Sequence, residues 1–186
     1  ERAKIAPHDD VLLIGAGGGV GVHGIQVAKA FGARVIAADI SDEKLEFAKK
    51  WGADEVINVR AVNDIAGAAK KLTDGRGVDA AVDYVGASET FTAAIEALAT
   101  AGRAVLIGAK PSSVQIDPLD LLINEKTITG SRHSTRTELM ETMDVMAKGT
   151  IKSAIGKRVH FTEVESLFED LQAETLLGRG ALTYDD

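Results

Sequence analysis

Val11-Leu12-Leu13-Ile14 runs straight into Gly15-Ala16-Gly17-Gly18-Gly19-Val20-Gly21, and an amphipathic stretch from Val20 to Phe31 follows at once. Few folds accept that order. A wholly apolar run closed by glycine suits a strand buried on both faces. Glycines after it permit a tight turn at positive φ, close seating of the next helix on the strand, and backbone approach to a bound group. A helix starting there aims its unpaired amides and the positive end of its dipole at the loop, which makes an anion site. A literal Gly-x-Gly-x-x-Gly occurs at Gly19, Gly21 and Gly24, but it begins too far into the helix to form the turn. The register Gly15, Gly18, Gly21, with Gly17 giving extra room, fits better. Alone, the pattern also fits a plain glycine-rich strand-to-helix turn.

The next apolar run, Val35 to Ala38, ends at Asp39. An acid roughly 20 residues past such a loop is placed to accept the hydroxyls of an adenosine ribose. It would repel a 2′-phosphate and so favour NAD over NADP. The bland alternative is an aspartate that merely ends a strand. Strand, loop, helix, strand and acid in that order make cofactor binding the stronger expectation.

The rest of the chain repeats the alternation. Glu55 to Asn58, Val78 to Tyr84, Ala104 to Ile107 and Lys126 to Thr129 read as further strands. Asp42 to Trp51, Asp64 to Leu72, Ser88 to Leu98 and Glu138 to Lys148 read as helices, the first capped by Ser41. The fold class expected is α/β, a doubly wound parallel sheet of the Rossmann type with six strands and right-handed crossovers. Arg158 to Phe161, Glu165 to Leu176 and Ala181 to Thr183 form a C-terminal strand–helix–strand remnant. The division expected is a dinucleotide-binding domain over 1–150 and a C-terminal segment over 151–186.

Composition narrows the function. The 186 residues carry a formal net charge of -7 with scattered Lys and Arg, which argues against a nucleic-acid partner. No apolar run approaches the length of a membrane span. With no cysteine, disulfides and thiolate metal ligands are excluded. The opening Glu1-Arg2-Ala3-Lys4 has neither an initiator Met nor an apolar signal core, and reads as starting within a longer protein; a cytoplasmic location is expected.

Several separated stretches resemble one family. The glycine loop, Val27 to Ala33, Asp39 through Trp51-Gly52-Ala53-Asp54, Gly77 to Gly86, Gly102 to Gly108 and Gly178-Arg179-Gly180 are similar to the cofactor domain of medium-chain, zinc-type alcohol dehydrogenases. The resemblance implies a cofactor site built from Gly15, Gly17, Gly18, Gly19, Val20, Gly21, Asp39 and Lys44, the last beside the adenosine ribose. It implies Tyr84, Val85 and Gly86 along the cofactor, with Ile107, Gly108, Ala109, Ser131 and Arg132 at the nicotinamide. Arg179 is implied at the pyrophosphate, where a guanidinium fork suits the task. The family's catalytic zinc is bound by Cys, His and Cys or an acid in a domain mostly N-terminal to the loop. No such set is recognisable here: His8, His23, His133 and His160 are isolated in sequence. Neither a metal ligand nor a catalytic residue is therefore expected in this chain. His23 is expected to be a packed or solvated residue rather than an acid–base group, and His133 lies near the expected nicotinamide.

The leading expectation is an NAD(H)-binding domain serving zinc-dependent hydride transfer between an alcohol and nicotinamide in the intact protein. A zinc-free quinone or enoyl reductase of the same superfamily and a stand-alone dinucleotide-binding module stay open. Met140, Met143 and Met146 are expected to pack in a core or an interface. A homodimer through the sheet edge at Lys126 to Thr129 is expected, with the Thr127 amide on the free edge and Ile116 to Ile123 covered. The rival is that Leu119 to Ile123 is a short helix packed on its own sheet.

Overall fold

A computed structural model describes residues 2–110 and 113–184; the outermost ends of the two expected segments, Glu1, Asp185 and Asp186, lie outside it. Strands β1 (Asp10–Ile14), β2 (Arg34–Asp39), β3 (Glu55–Asn58), β4 (Val78–Asp83), β5 (Leu98–Leu106) and β6 (Thr127–Gly130) form one parallel sheet in the order β3-β2-β1-β4-β5-β6. Helices α1 (Gly21–Ala30), α2 (Asp42–Lys50), α3 (Ile65–Lys71), α4 (Ser88–Glu96), α5 (Pro118–Ile123) and α6 (Arg136–Ala147) punctuate it. Strand order reverses between β1 and β4, which opens a crevice at the carboxyl ends of those strands.

Alternation along the strands divides the core in two. Leu12, Ile14, Ile36, Ala38 and Ala81 face α3 and α4, meeting Ala66, Ala69, Phe91 and Ala94. Val11, Leu13, Val35, Ala37, Ala80 and Val82 face α1 and α2, meeting Ile25, Ala28 and Ala48. Each fully buried aliphatic side chain contributes roughly 1.5–3 kcal/mol. Small residues on the helices and at Ala37, Ala38, Ala80 and Ala81 let the layers approach closely.

Boundaries differ from the expected ones where backbone geometry intervenes. The helix expected to reach Leu98 ends at Glu96, and β5 starts at Leu98 instead of near Ala104. Ala101 sits at φ 59 and the β4–β5 register shifts between Val78 and Ala80, so an irregularity carries the strand past exposed Thr100 and Ala101. That kink hid its first half from the apolar pattern. Leu119–Ile123 is helical within α5, yet Leu119, Leu122 and Ile123 are exposed and Asp120 and Leu121 only half-buried, so most of its apolar side chains are left uncovered. Met140 and Met143 are 60% and 63% exposed, so the core alternative for this stripe is corrected. β6 does lie at the sheet edge. Its Thr127 amide faces inward, however: Ser131 N donates to Leu106 O at 2.9 Å, and amides alternate sides along a strand, so Thr129 and Thr127 also face β5.

After α6 come β7 (Ile155–His160), a 3₁₀ turn, α7 (Val164–Gln172) and β8 (Arg179–Thr183), with β7 and β8 pairing in a separate two-stranded parallel sheet. The residue before β8 turns back onto the glycine loop: Gly178 N donates to Gly17 O at 3.0 Å.

Candidate dinucleotide cleft

The loop after β1 turns at Gly15, whose φ of 80° strains any residue with a Cβ. Its amide and that of Ala16 donate to Ala38 O at 2.9 and 3.2 Å, tying the turn to the end of β2. A Cβ on Gly21 would collide with Gly15 O and Ala16 Cα, so this glycine lets α1 start directly against the turn. No side chain caps α1 and no carboxylate stands in its first turn, leaving the positive helix end toward the loop. The room at Gly17 admits α2: a Cβ there would lie 2.6 Å from Lys44 Cβ. At Gly18 the nearest atom to a Cβ would be Gly15 O at 3.4 Å, which makes this the roomier glycine of the pair.

Asp39 closes β2 with only 5% of its surface exposed. Oδ2 accepts from Gly17 N at 2.7 Å and Oδ1 from Ile40 N at 2.8 Å, and Lys44 Nζ stands 3.9 Å from Oδ1. The carboxylate is thus oriented by two amides and retains lone pairs toward the cleft. Ser41 caps α2 by accepting from Lys44 N at 3.3 Å, which places Lys44 on the first turn and over the loop.

The opposite wall depends on a wholly buried carboxylate. Asp83 Oδ1 accepts from the amides of Val85 and Gly86 at 2.8 and 3.1 Å, and Thr90 Oγ1 donates to Oδ2 at 2.9 Å. Those bonds bend Tyr84-Val85-Gly86 around the end of β4. Ile107 and Gly108 amides donate to Asp83 O at 2.9 and 3.0 Å, and a Cβ on Gly86 would strike Gly108, so the β4 and β5 exits touch backbone to backbone. Ala109 N lies 2.9 Å from that same Cβ position. Asp83 had not been expected as a site residue; its signal was an Asp directly before Tyr84-Val85-Gly86, with Thr90 seven residues on. Burial pushes the Tyr84 phenol well above its ordinary value, so it stays protonated in neutral solution.

Two openings flank the loop. One, of about 420 Å³, is bordered by Gly15, Gly18, Gly19, Asp39, Lys44, Tyr84 and Val85, with Asp170 and Glu174 of the α7 end opposite. The other, of about 580 Å³, is bordered by Val20, Tyr84, Ile107, Ser131, Arg132 and His133. Most of the expected residues therefore border one or other of these openings, and Tyr84 borders both. Arg179 joins them from β8, its side chain lying along the loop: a Cβ on Gly19 would fall 2.8 Å from Arg179 Cδ and Nε.

His23 is a bridge within this framework. Its Nδ1 is 2.9 Å from Gly19 O, and Ala154 N donates to Nε2 at 3.4 Å. Among the described residues no group of three His, Cys, Asp or Glu could hold a metal ion, and with no cysteine in the chain the donor set does not fit a zinc site. Among them, too, no helix is long and apolar enough to cross a membrane.

Residues 19–148 match the family model described as "Zinc-binding dehydrogenase". The chain is 30% identical over 182 residues to an NAD-dependent alcohol dehydrogenase of Saccharolobus solfataricus, covering 97% of this chain and 52% of that protein. It thus spans about half the length of the curated relatives it matches. A solved NAD-dependent alcohol dehydrogenase superposes with a TM-score of 0.86 at 32% identity, over 97% of this chain and 53% of that one. A mycobacterial quinone oxidoreductase does so at 0.81 and 30%, over 98% and 59%. With most of its length inside the family model and its fold shared with a solved dehydrogenase, the chain belongs to the zinc-binding dehydrogenase family, as its cofactor domain.

Proposed function

We propose that this chain binds NAD(H) across the crevice and serves hydride transfer between an alcohol and nicotinamide in a longer protein. The observation that carries the reading is the pairing of a buried, amide-oriented Asp39 at one end of the glycine loop with Arg179 lying along the other. Asp39 would accept the adenosine ribose hydroxyls, with Lys44 at the sugar edge. Gly15, Gly17, Gly18, Gly19 and Gly21 form the turn under the pyrophosphate, which would meet the α1 N-terminus and the Arg179 guanidinium. Tyr84, Val85 and Gly86 would wall the centre. Val20, Ile107, Gly108, Ala109, Ser131 and Arg132 would surround the nicotinamide end.

When bound, NAD supplies a hydride acceptor, and the chain's part is to hold and orient it. Zinc would be held outside this chain; in support, the chain has no cysteine and the described residues form no metal-binding group. A homodimer through the β6 edge and a cytoplasmic setting belong to the same proposal. A second reading, a zinc-free quinone reductase, draws on the quinone oxidoreductase likeness; Asp39 argues against the NADPH such an enzyme would use. Calorimetric titration with NADH of the parent, Asp39→Asn and Arg179→Ala tests the proposal. Weaker binding in both variants is expected; binding unchanged in both, or absent from the parent, would overturn it.

A further inference from the structure

We infer that Gln26, a residue that touches no part of the crevice, is a positioning residue for cofactor binding: it holds the segment that seats Arg179 on the glycine loop. This rests on the proposal that Arg179 meets the pyrophosphate.

Gln26 lies on α1 and is only 8% exposed, an unusual setting for a neutral amide unless all its hydrogen bonds have a purpose. Its Nε2 donates to Lys152 O at 3.0 Å, and its Oε1 accepts from Lys152 N at 2.8 Å. One side chain thereby satisfies both backbone groups of a single residue, as a neighbouring strand would, and fixes that residue in place and orientation. One turn earlier on α1, His23 adds a third tie. Gly19 O can only accept, so His23 Nδ1 carries the proton and Nε2 is left to accept from Ala154 N.

The chain 152–154 is where Arg179 is registered. Ala154 is fully buried, and its carbonyl accepts from Arg179 N at 2.9 Å. Next to it Gly178 is packed so closely that a Cβ would collide with Ala154 O and fall 2.9 Å from Phe47. A route of short, directional contacts therefore runs from Gln26 through Lys152 and Ala154 to Arg179, whose side chain reaches Gly19. Beside it, Gly178 N donates to Gly17 O, a direct backbone tie between this segment and the glycine loop. Releasing Lys152 would let β7 and β8 shift. A guanidinium moved by even an ångström loses its paired geometry with an anion.

The test measures affinities of the 186-residue chain for ADP-ribose and for adenosine, by calorimetry or NMR titration, in the parent, Gln26→Leu, Arg179→Ala and the double variant. Gln26→Leu should weaken ADP-ribose about 5–10-fold, close to the effect of Arg179→Ala, and leave adenosine, which has no pyrophosphate, unchanged. In the Arg179→Ala background Gln26→Leu should have no further effect. Gln26→Glu supplies a second readout that survives a poorly folded leucine variant. An ionised glutamate repels Lys152 O, but a protonated one donates to it. The ADP-ribose affinity of Gln26→Glu relative to the parent should therefore recover as pH falls from 8 to 5. Equal losses for both ligands, additive losses in the double variant, or a Gln26→Glu deficit independent of pH would overturn the inference. If Arg179→Ala alone binds ADP-ribose like the parent, the role of Arg179 fails first and Gln26 has nothing to position.

Discussion

Gly17 is held on both of its backbone groups: its amide donates to Asp39 Oδ2 at 2.7 Å, and its carbonyl accepts from Gly178 N at 3.0 Å. A residue at the centre of the loop thus joins the acid at the end of β2 to the C-terminal pair of strands. Neither partner is near it in sequence. The consequence is that the Asp39 and Arg179 ends of the proposed site are registered against the same residue.

Asp39→Asn keeps an acceptor for Gly17 N while removing the charge, so it isolates recognition from loop support. The parent is expected to bind NADH more tightly than NADPH. Loss of a charge-assisted bond of about 1.5–3 kcal/mol should weaken NADH roughly tenfold or more and narrow that preference. Titration of both cofactors checks this; equal parental affinities would refute it.

The 186-residue chain should bind NADH yet produce none from alcohols. The described residues form no zinc site and the chain has no cysteine, so metal analysis after dialysis should find no stoichiometric zinc. An assay against primary and secondary alcohols, with and without added zinc, is the measurement. Alcohol-dependent turnover that survives purification controls would place the chemistry inside this chain.

The free edge of β6 and the exposed side chains of α5 are expected to meet a second copy about a two-fold axis. Leu119, Leu122 and Ile123 are 59%, 74% and 65% exposed, which is costly for a lone protomer. Gly130→Pro should remove an outward edge amide, and Leu122→Asp should put charge in the apolar contact at little cost to the protomer. Sedimentation at micromolar concentration should show a parental dimer and a larger monomer fraction in both variants. A monomeric parent, or variants that dimerise unchanged, would rule out this contact.

At the amino end of the sheet, Arg76 bonds Asp79 at 2.7 and 2.9 Å and Asp10 at 2.8 Å, while Asp79 also accepts from Asp10 N at 2.8 Å. Arg76, offset in part by burial and aided by the Asp10 amide, holds the Asp79 carboxyl below its ordinary 3.8. A depressed folded-state value stabilises fully above the unfolded-state value and is lost as pH falls through the lower one. Because Arg76 is half-exposed, Arg76→Ala should cost only about 0.5–1 kcal/mol at neutral pH. Urea unfolding at pH 7 and at pH 2.5 should show that difference at the first and little of it at the second. A difference of equal size at both would mean packing, not charge, is responsible.

The strands were legible because parallel strands covered on both faces must be apolar throughout, and Val11 to Ile14 or Val35 to Ala38 have no other stable setting. The glycine loop and Asp39 were legible for a similar reason: a strand-to-helix turn this tight admits few residues, and an acid at a strand end stands out against an apolar run. Less was visible where the chain departs from periodicity. The first half of β5 was hidden by the irregularity at Ala101.

By itself the sequence determined the doubly wound sheet, the turn at Gly15 and the acid that ends β2, since each follows from local sterics and the pattern of apolar residues. Only the tertiary structure decided that Gly17 makes room for Lys44, that Asp83 shapes the Tyr84 turn from full burial, and that Gln26 and His23 reach 126 and 131 residues along the chain to hold Lys152 and Ala154. Those contacts depend on where two distant backbones meet. A hydrogen bond between a side chain and a remote peptide group leaves no periodic trace in either segment.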